Sequence, residues 1–248
     1  MNIVVCISSV PDTTAKIKFT DNSSKFDATG VQFVINPYDE FGLTKAIMLK
    51  EKTGGKVRVV TVGDLSVEPV IRKALAIGAD EAVRINIEPQ DSYSTATLIA
   101  DYLNQNPADI IITGKESSDY NGGAVGGIIA EMLGLPFINA CHGLEITENT
   151  AKMNREIDGG TESISSELPI VIGGQKGLVE ESELRIPNMR GIMQARTKPL
   201  NIIEISNNTS LTASINFEQP AEKGGCKLVS ADNVPELVSL LQNEAKVI

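Results

Sequence analysis

The sequence predicts an α/β fold: a parallel sheet with helices on both faces, then a small antiparallel extension and a C-terminal arm. Three observations carry that expectation. Short apolar runs at 2–7, 57–62, 82–87 and 110–113 alternate with longer stretches of helical periodicity. The stretch after Ser66 is the most regular of these, with Val67, Val70, Ile71, Ala74 and Leu75 on one face. Beyond Pro136 the rhythm changes to short alternating runs around an Asp158-Gly159-Gly160 turn, the pattern of antiparallel hairpins.

Taken in order, the first strand at 2–7 runs into Ser8-Ser9 and is stopped by Pro11-Asp12. Residues 16–19 alternate and predict an edge strand that returns, across a polar turn, at 31–35. Asn36-Pro37-Tyr38-Asp39-Glu40 then opens a helix to about Lys52, with proline at an early position and acids in the first turn. The strand at 57–62 ends at Gly63, Ser66 is the expected N-cap of the next helix, and Gly78 closes that helix. A strand at 82–87 and a helix from 92 to 106 lead to the strand at 110–113. A fifth strand is expected at 137–140, followed by alternating runs at 143–147, 151–157 and 161–167 and the apolar run 168–172. From about Lys198 the alternation of strand and helix is lost. Residues 206–224 read as a polar linker to a final helix at 235–243, capped by Asp232 or Asn233. The expected division is a strand-and-helix domain at 1–200 and an arm at 201–248.

The stretch 109–136 is the focus of the chain: a strand, a Gly-rich loop and a helix whose buried face is Val125, Ile128, Ile129, Met132 and Leu133. The first turn of a helix leaves backbone N–H groups without partners and carries about half a positive charge. Glycines at 122, 123, 126 and 127 leave those groups open to an anion such as phosphate. The same glycines also suit a tight turn with close helix–sheet packing, so the loop alone leaves both readings open. Neither GxGxxG nor a P-loop is present, since Gly114-Lys115 is followed by Glu116. Ligands of such sheets bind beyond the C-terminal strand ends, where strand order reverses. Residues 6–9, Val62-Gly63, the loop 114–125 and the approaching Asn36 to Asp39 converge there.

The totals exclude several classes. A net charge of −10 without Lys/Arg clusters argues against nucleic acid as a partner. Cys6, Cys141 and Cys226 stand far apart with no CxxC, which suggests neither a zinc site nor a disulfide framework and points to a reducing compartment. No signal-like segment precedes the first strand and no apolar run reaches the length of a membrane span, so a cytoplasmic chain without direct membrane insertion is expected. His142 has no patterned partner, and the acidic run 180–183 lacks the spacing of a calcium loop. No catalytic residue and no metal ligand is assigned.

The chain resembles electron-transfer flavoprotein beta subunits. Arg155-Glu156-Ile157-Asp158-Gly159-Gly160-Thr161-Glu162, with Leu168-Pro169 after it, is similar to the characteristic stretch of that family. Val4 to Ile7 with Val10-Pro11-Asp12, the Asn36 to Glu40 helix start, the run Ala74 to Asp80 and Ile192 to Ala195 agree in the same order. The resemblance covers most of residues 1–205.

It implies a Rossmann-like domain in a heterodimer whose alpha subunit carries the redox-active FAD, while this chain binds a second adenine nucleotide. In most members that nucleotide is a structural AMP; in electron-bifurcating members it is a second FAD. By position, the nucleotide is expected at Cys6, Asn36, Pro37, Tyr38, Asp39 and Val62. The loop adds Gly114, Lys115, Asp119, Asn121, Gly122, Gly123, Ala124 and Val125, with the phosphate at the backbone of the last three. Tyr38 is the residue expected to reach toward the partner's isoalloxazine. The family's donor-docking segment corresponds to residues 184–195, with Ile186 or Met189 as the apolar anchor. Acyl-CoA dehydrogenase-type donors and a membrane quinone oxidoreductase acceptor are the implied partners.

Two features depart from the family pattern. Asn121 to Ala124 replace a more polar loop, leaving more of the phosphate contact to backbone, and 173–177 with the acidic run after it replace a different turn. The alternatives are a bifurcating subunit with its own FAD that oxidises NADH, and a stand-alone ATP- or AMP-binding sensor.

Overall fold

Apolar β-branched runs build the centre of the molecule, because a strand buried on both faces needs side chains that pack in both directions. In the computed structural model, which describes residues 1–221 and 224–248, the first of these is β1 (Asn2–Cys6). Glu222 and Lys223, in the expected polar linker, lie outside the described residues. Next come the short strands β2 (Ser9–Pro11), β3 (Phe19–Thr20), β4 (Lys25–Phe26) and β5 (Phe33–Ile35), and helix α1 (Pro37–Thr53). Strand β6 (Lys56–Val62), helix α2 (Glu68–Ile77), strand β7 (Glu81–Asn86), helix α3 (Ser92–Gln105), strand β8 (Ile110–Gly114) and helix α4 (Val125–Leu133) continue the alternation. Then β9 (Phe137–Thr147), β10 (Thr150–Ile157), β11 (Gly160–Glu167) and β12 (Ile170–Gly174) precede helix α5 (Met189–Ala195), strand β13 (Leu200–Glu204) and helix α6 (Val234–Leu240).

The nine-stranded sheet runs β11-β10-β9-β12-β8-β1-β6-β7-β13. Strands β9 through β13 in that order pair in parallel, and β10 and β11 extend one edge antiparallel. The chain moves from β1 outward through β6 and β7, then returns to place β8 on the other side of β1. Strand order therefore reverses between β1 and β8. Side-chain alternation divides the core: Ile3 and Val5 of β1 and Ile110 and Ile112 of β8 pack with Leu43 and Ile47 of α1 and with Ile71 and Leu75 of α2. On the other face Val4, Cys6 and Ile111 pack with Ile99 of α3 and Ile129 of α4.

Local chemistry sets the element ends. Asp91 caps α3 by accepting from Ser94 N, and Gly78 ends α2 at a φ of 154°. Asp80, the last residue of the Ala74 to Asp80 run, accepts from Val57 N at 2.8 Å and from Lys50 Nζ at 2.9 Å, tying α1 and β6 together. Arg155 and Glu162 face each other across β10 and β11, with Nε donating to Oε2 at 2.6 Å.

Several expectations need correction. Residues 16–18 form no strand; β3 pairs with β4, whereas β5 pairs with β2, so Ser9 to Pro11 is itself a strand. Pro11 is tolerated there because β2 has a single partner strand and so sits at an edge. Asp64, not Ser66, supplies the cap before α2, accepting from Ser66 N to open a 3₁₀ turn over Leu65–Val67. Strand β9 is continuous through 137–147, with Ala140 at a φ of 53° and a register shift against β12. It leaves β12 and continues with β10, so one strand serves both the parallel and the antiparallel parts. Finally, the run at 168–172 supplies β12, which inserts in parallel between β9 and β8.

The 201 boundary falls within β13, which pairs with β7 at the sheet edge. Among the described residues no helix is long and apolar enough to cross a membrane.

Candidate functional site

A cavity of about 490 Å³ opens at the C-terminal ends of β1, β6 and β8, beside the strand-order reversal. That volume falls within the range of about 300–1,000 Å³ typical of small-molecule sites.

Its floor is knitted by two side chains from the start of α1. Asn36 Nδ2 donates to Asp39 Oδ1 at 3.0 Å and to Glu116 O at 2.9 Å, while its Oδ1 accepts from Ser118 N at 3.1 Å. Asp39 Oδ2 accepts from Ser8 N at 2.7 Å. One Asn–Asp pair thus holds the end of β1, the start of α1 and the loop after β8 in fixed relation. Burial pushes the Asp39 carboxyl up to about 7, opposed by the hydrogen bonds from Ser8, Asn36 and Gly114. Cys6 beside it is pushed up to about 12, by burial first and by the Asp39 charge second. Such a thiol stays protonated and is a packing group, not a nucleophile.

The wall facing this floor is the loop and the first turn of α4. Ala124 is the helix cap and no side chain caps the turn, so the N-terminal N–H groups of α4 have no side-chain partner. Gly123 takes a φ of 59°, which a side chain would strain. At Gly114 an added Cβ would stand 2.3 Å from Asp39 Oδ1, and at Gly126 it would stand 2.6 Å from Thr113 Oγ1 and 2.9 Å from the Phe137 ring. The two readings of the glycines therefore separate by position: 114 and 126 are demanded by packing, whereas around 122 and 123 the backbone is left open. Lys115 is the one cationic side chain lining the cavity among the described residues, against Asp39, Asp91, Glu116 and Asp119. An anion here would depend on backbone N–H groups, the α4 dipole and Lys115. The size of the cavity and the uncapped helix start fit a mononucleotide.

Of the expected residues, Cys6, Asn36, Asp39 and Val62 line the cavity. So do Gly114, Lys115, Asp119, Gly122, Gly123, Ala124 and Val125. Pro37, Tyr38 and Asn121 do not: Pro37 and Asn121 are exposed, and Tyr38 is half-buried with its Cβ against Gly114. The sequence reading missed the opposite rim, where Asp91, Ser92 and Thr95 at the start of α3 meet Thr212, Ala213 and Ser214 of the arm. Asp91 is recognisable as a helix cap; no local signal links it to a segment 120 residues away.

Ile186 and Met189 lie elsewhere and are 80 % and 76 % exposed, as is much of Met193. The segment bearing them is firmly mounted. Asn188 caps α5 by accepting from Gly191 N at 2.8 Å, Arg72 Nη1 donates to Ala195 O at 2.7 Å, and a Cβ at Gly191 would meet Ala76 O at 2.3 Å. His142 forms no part of a metal cluster, and no group of acids, His or Cys among the described residues could hold a metal ion.

A mostly parallel α/β sheet with helices on both faces and an open helix start at its switch point defines a protein of the doubly wound class. Residues 24–208 match the family described as electron transfer flavoprotein domain. The electron transfer flavoprotein subunit beta of Bacillus subtilis (strain 168) is 37% identical over the whole of both chains. That of Syntrophomonas wolfei is 34% identical over 100% of this chain and 98% of its own, and that of Bradyrhizobium diazoefficiens is 29% identical over the whole of both. The chain belongs to the electron transfer flavoprotein family, as a beta subunit.

Proposed function

We propose that this chain binds AMP in the cavity between β1, β6 and β8 and pairs with an FAD-carrying alpha subunit in an electron-carrying heterodimer. The observation that carries the nucleotide assignment is the uncapped N-terminus of α4, opening with Gly122 and Gly123 onto a mononucleotide-sized cavity. Asn36 and Asp39 hold the floor, Lys115 and the backbone at 123–125 meet the phosphate, and Val62 and Cys6 add apolar lining. AMP has no redox chemistry; its contribution is to fill the cleft and fix the loop between β8 and α4. The partner's FAD supplies the one- and two-electron chemistry of the complex.

The heterodimer relays electrons from flavoprotein dehydrogenases, such as those acting on acyl-CoA in fatty acid oxidation, to a membrane quinone oxidoreductase. It works in the cytoplasm. Residues 184–195 form the donor-docking element, with Ile186 and Met189 as exposed apolar anchors on a rigid mount. Tyr38, outside the cavity and half-buried, is placed toward the partner's flavin in this reading.

The test is anaerobic reduction of the purified complex by a catalytic amount of an acyl-CoA dehydrogenase with its acyl-CoA substrate. Bleaching of the flavin absorbance is the expected result. Bleaching by NADH, with none by the dehydrogenase, would replace this reading with the bifurcating one.

A further inference from the structure

The C-terminal arm does not leave the domain directly. Residues 211–219 run back across it and are fastened at two points. At the first, Asp91 Oδ2 accepts from Leu211 N at 2.7 Å, from Thr212 N at 2.8 Å and from Thr212 Oγ1 at 3.2 Å. At the second, Phe217 stacks on Phe19 with ring centroids 5.2 Å apart, its N–H donates to Ser23 O at 2.7 Å, and Gln219 Nε2 donates to Ile17 O at 2.8 Å. At and just beyond the first fastening, Thr212, Ala213 and Ser214 form one side of the cavity.

At the cavity end, apolar burial does not hold this bridge down. Leu211 is 67 % exposed and Ile215 is 86 % exposed, so at the cavity end the placement of the chain depends on a single carboxylate. That carboxylate has two tasks. Its Oδ1 accepts from Ser94 N and caps α3, while its Oδ2 gathers the arm. The donors of both sets hold the Asp91 carboxyl well below the usual carboxylate range, the Ser94 N–H first.

We propose that residues 211–214 are a strap over the nucleotide site, that Asp91 is its positioning residue, and that nucleotide binding and docking of the arm are thermodynamically coupled. This rests on the assignment of an adenine nucleotide to the cavity. A ligand that touches the strap binds the docked arm more tightly than the released one, and by linkage the ligand holds the arm in place by the same factor. The arm continues to α6, whose Val234, Leu237 and Val238 are exposed. Nucleotide occupancy therefore controls the point from which that apolar helix can reach a partner.

The experiment uses the full heterodimer and Asp91→Asn. The asparagine keeps an oxygen to cap α3 but turns an NH₂ toward the N–H groups of Leu211 and Thr212, so the clamp is lost while the helix cap remains. Release of AMP into a large excess of labelled AMP should be about tenfold faster or more in the variant, as expected for losing charge-assisted hydrogen bonds. Cleavage of the arm by a protease at low concentration should be slowed by added AMP in the wild type and not in the variant, a response that a purely structural role for Asp91 would not change. Thr212→Pro, which removes one donor N–H and the hydroxyl without touching α3, should behave in the same way and serves if Asp91→Asn does not fold. Equal AMP release and equal, AMP-dependent protection in the wild type and the variants would overturn the coupling while leaving the nucleotide site in place. A wild type that neither contains nor binds AMP would overturn both.

Discussion

Asp39 is the residue where the chemistry of the site and the stability of the fold meet. Its carboxyl is buried and raised to about 7 from an ordinary 3.8, so the folded chain holds a proton that the unfolded chain has already lost between those values. The folded state therefore binds more protons than the unfolded state in that window, and stability falls as pH rises from about 4 to 7 and levels off above it, by up to about 1.4 kcal/mol per pH unit. Urea unfolding at intervals from pH 4.5 to 8 should show that decline in the wild type and a flatter profile in Asp39→Asn. Identical profiles would mean that Asp39 does not titrate in this range. Gly114 belongs to the same contact. Replacing it with alanine places a Cβ 2.3 Å from Asp39 Oδ1 and should cost about 1–3 kcal/mol by overpacking. Gly122→Ala, whose Cβ would meet only Ser92 Oγ at 3.4 Å, should cost far less and act mainly on nucleotide affinity. A denaturation comparison of the two variants separates packing glycines from ligand-facing ones.

At the scale of the elements, the parts set by local periodicity were legible and the parts set by distant pairing were not. Helix α4 begins at Val125, where the apolar spacing starts, and α2 ends at Gly78, because a helix face and a glycine stop are local properties. Partner choice is not local. Residues 31–35 read as the return of a strand at 16–19, yet Phe33 to Ile35 pair with Ser9 to Pro11. The apolar run at 168–172 showed that it was buried but not that it would separate β9 from β8. The cavity follows the same division. Its floor and loop came from convergence at strand ends, whereas the rim made by Asp91 and residues 212–214 depends on a contact across the whole chain. Segment 184–195 offers a test at this scale. Because Ile186 and Met189 stand clear of the core, Ile186→Ser and Met189→Ser should change unfolding free energy by less than about 0.5 kcal/mol. In the proposed role they should nevertheless raise the apparent KM for the electron donor by about tenfold. Unchanged donor kinetics would remove this segment from the docking surface.

For the whole molecule, the sheet is a platform with different surfaces at its ends. The strand-end cavity holds the proposed nucleotide, and the β10–β11 hairpin extends one edge. The exposed apolar residues of α5 and of α6 both lie in the C-terminal half of the sequence. A net charge of −10 keeps such a chain soluble between encounters and favours basic docking surfaces on its partners. The proposed role of this subunit is a nucleotide site without redox chemistry, contributed to a complex with a single flavin. It is tested most directly by purifying the chain in complex with its alpha subunit, denaturing the complex and quantifying the released nucleotides by chromatography. One AMP and one FAD per heterodimer is the predicted result. Two FAD and no AMP would place a second redox centre in this subunit and overturn the proposed role.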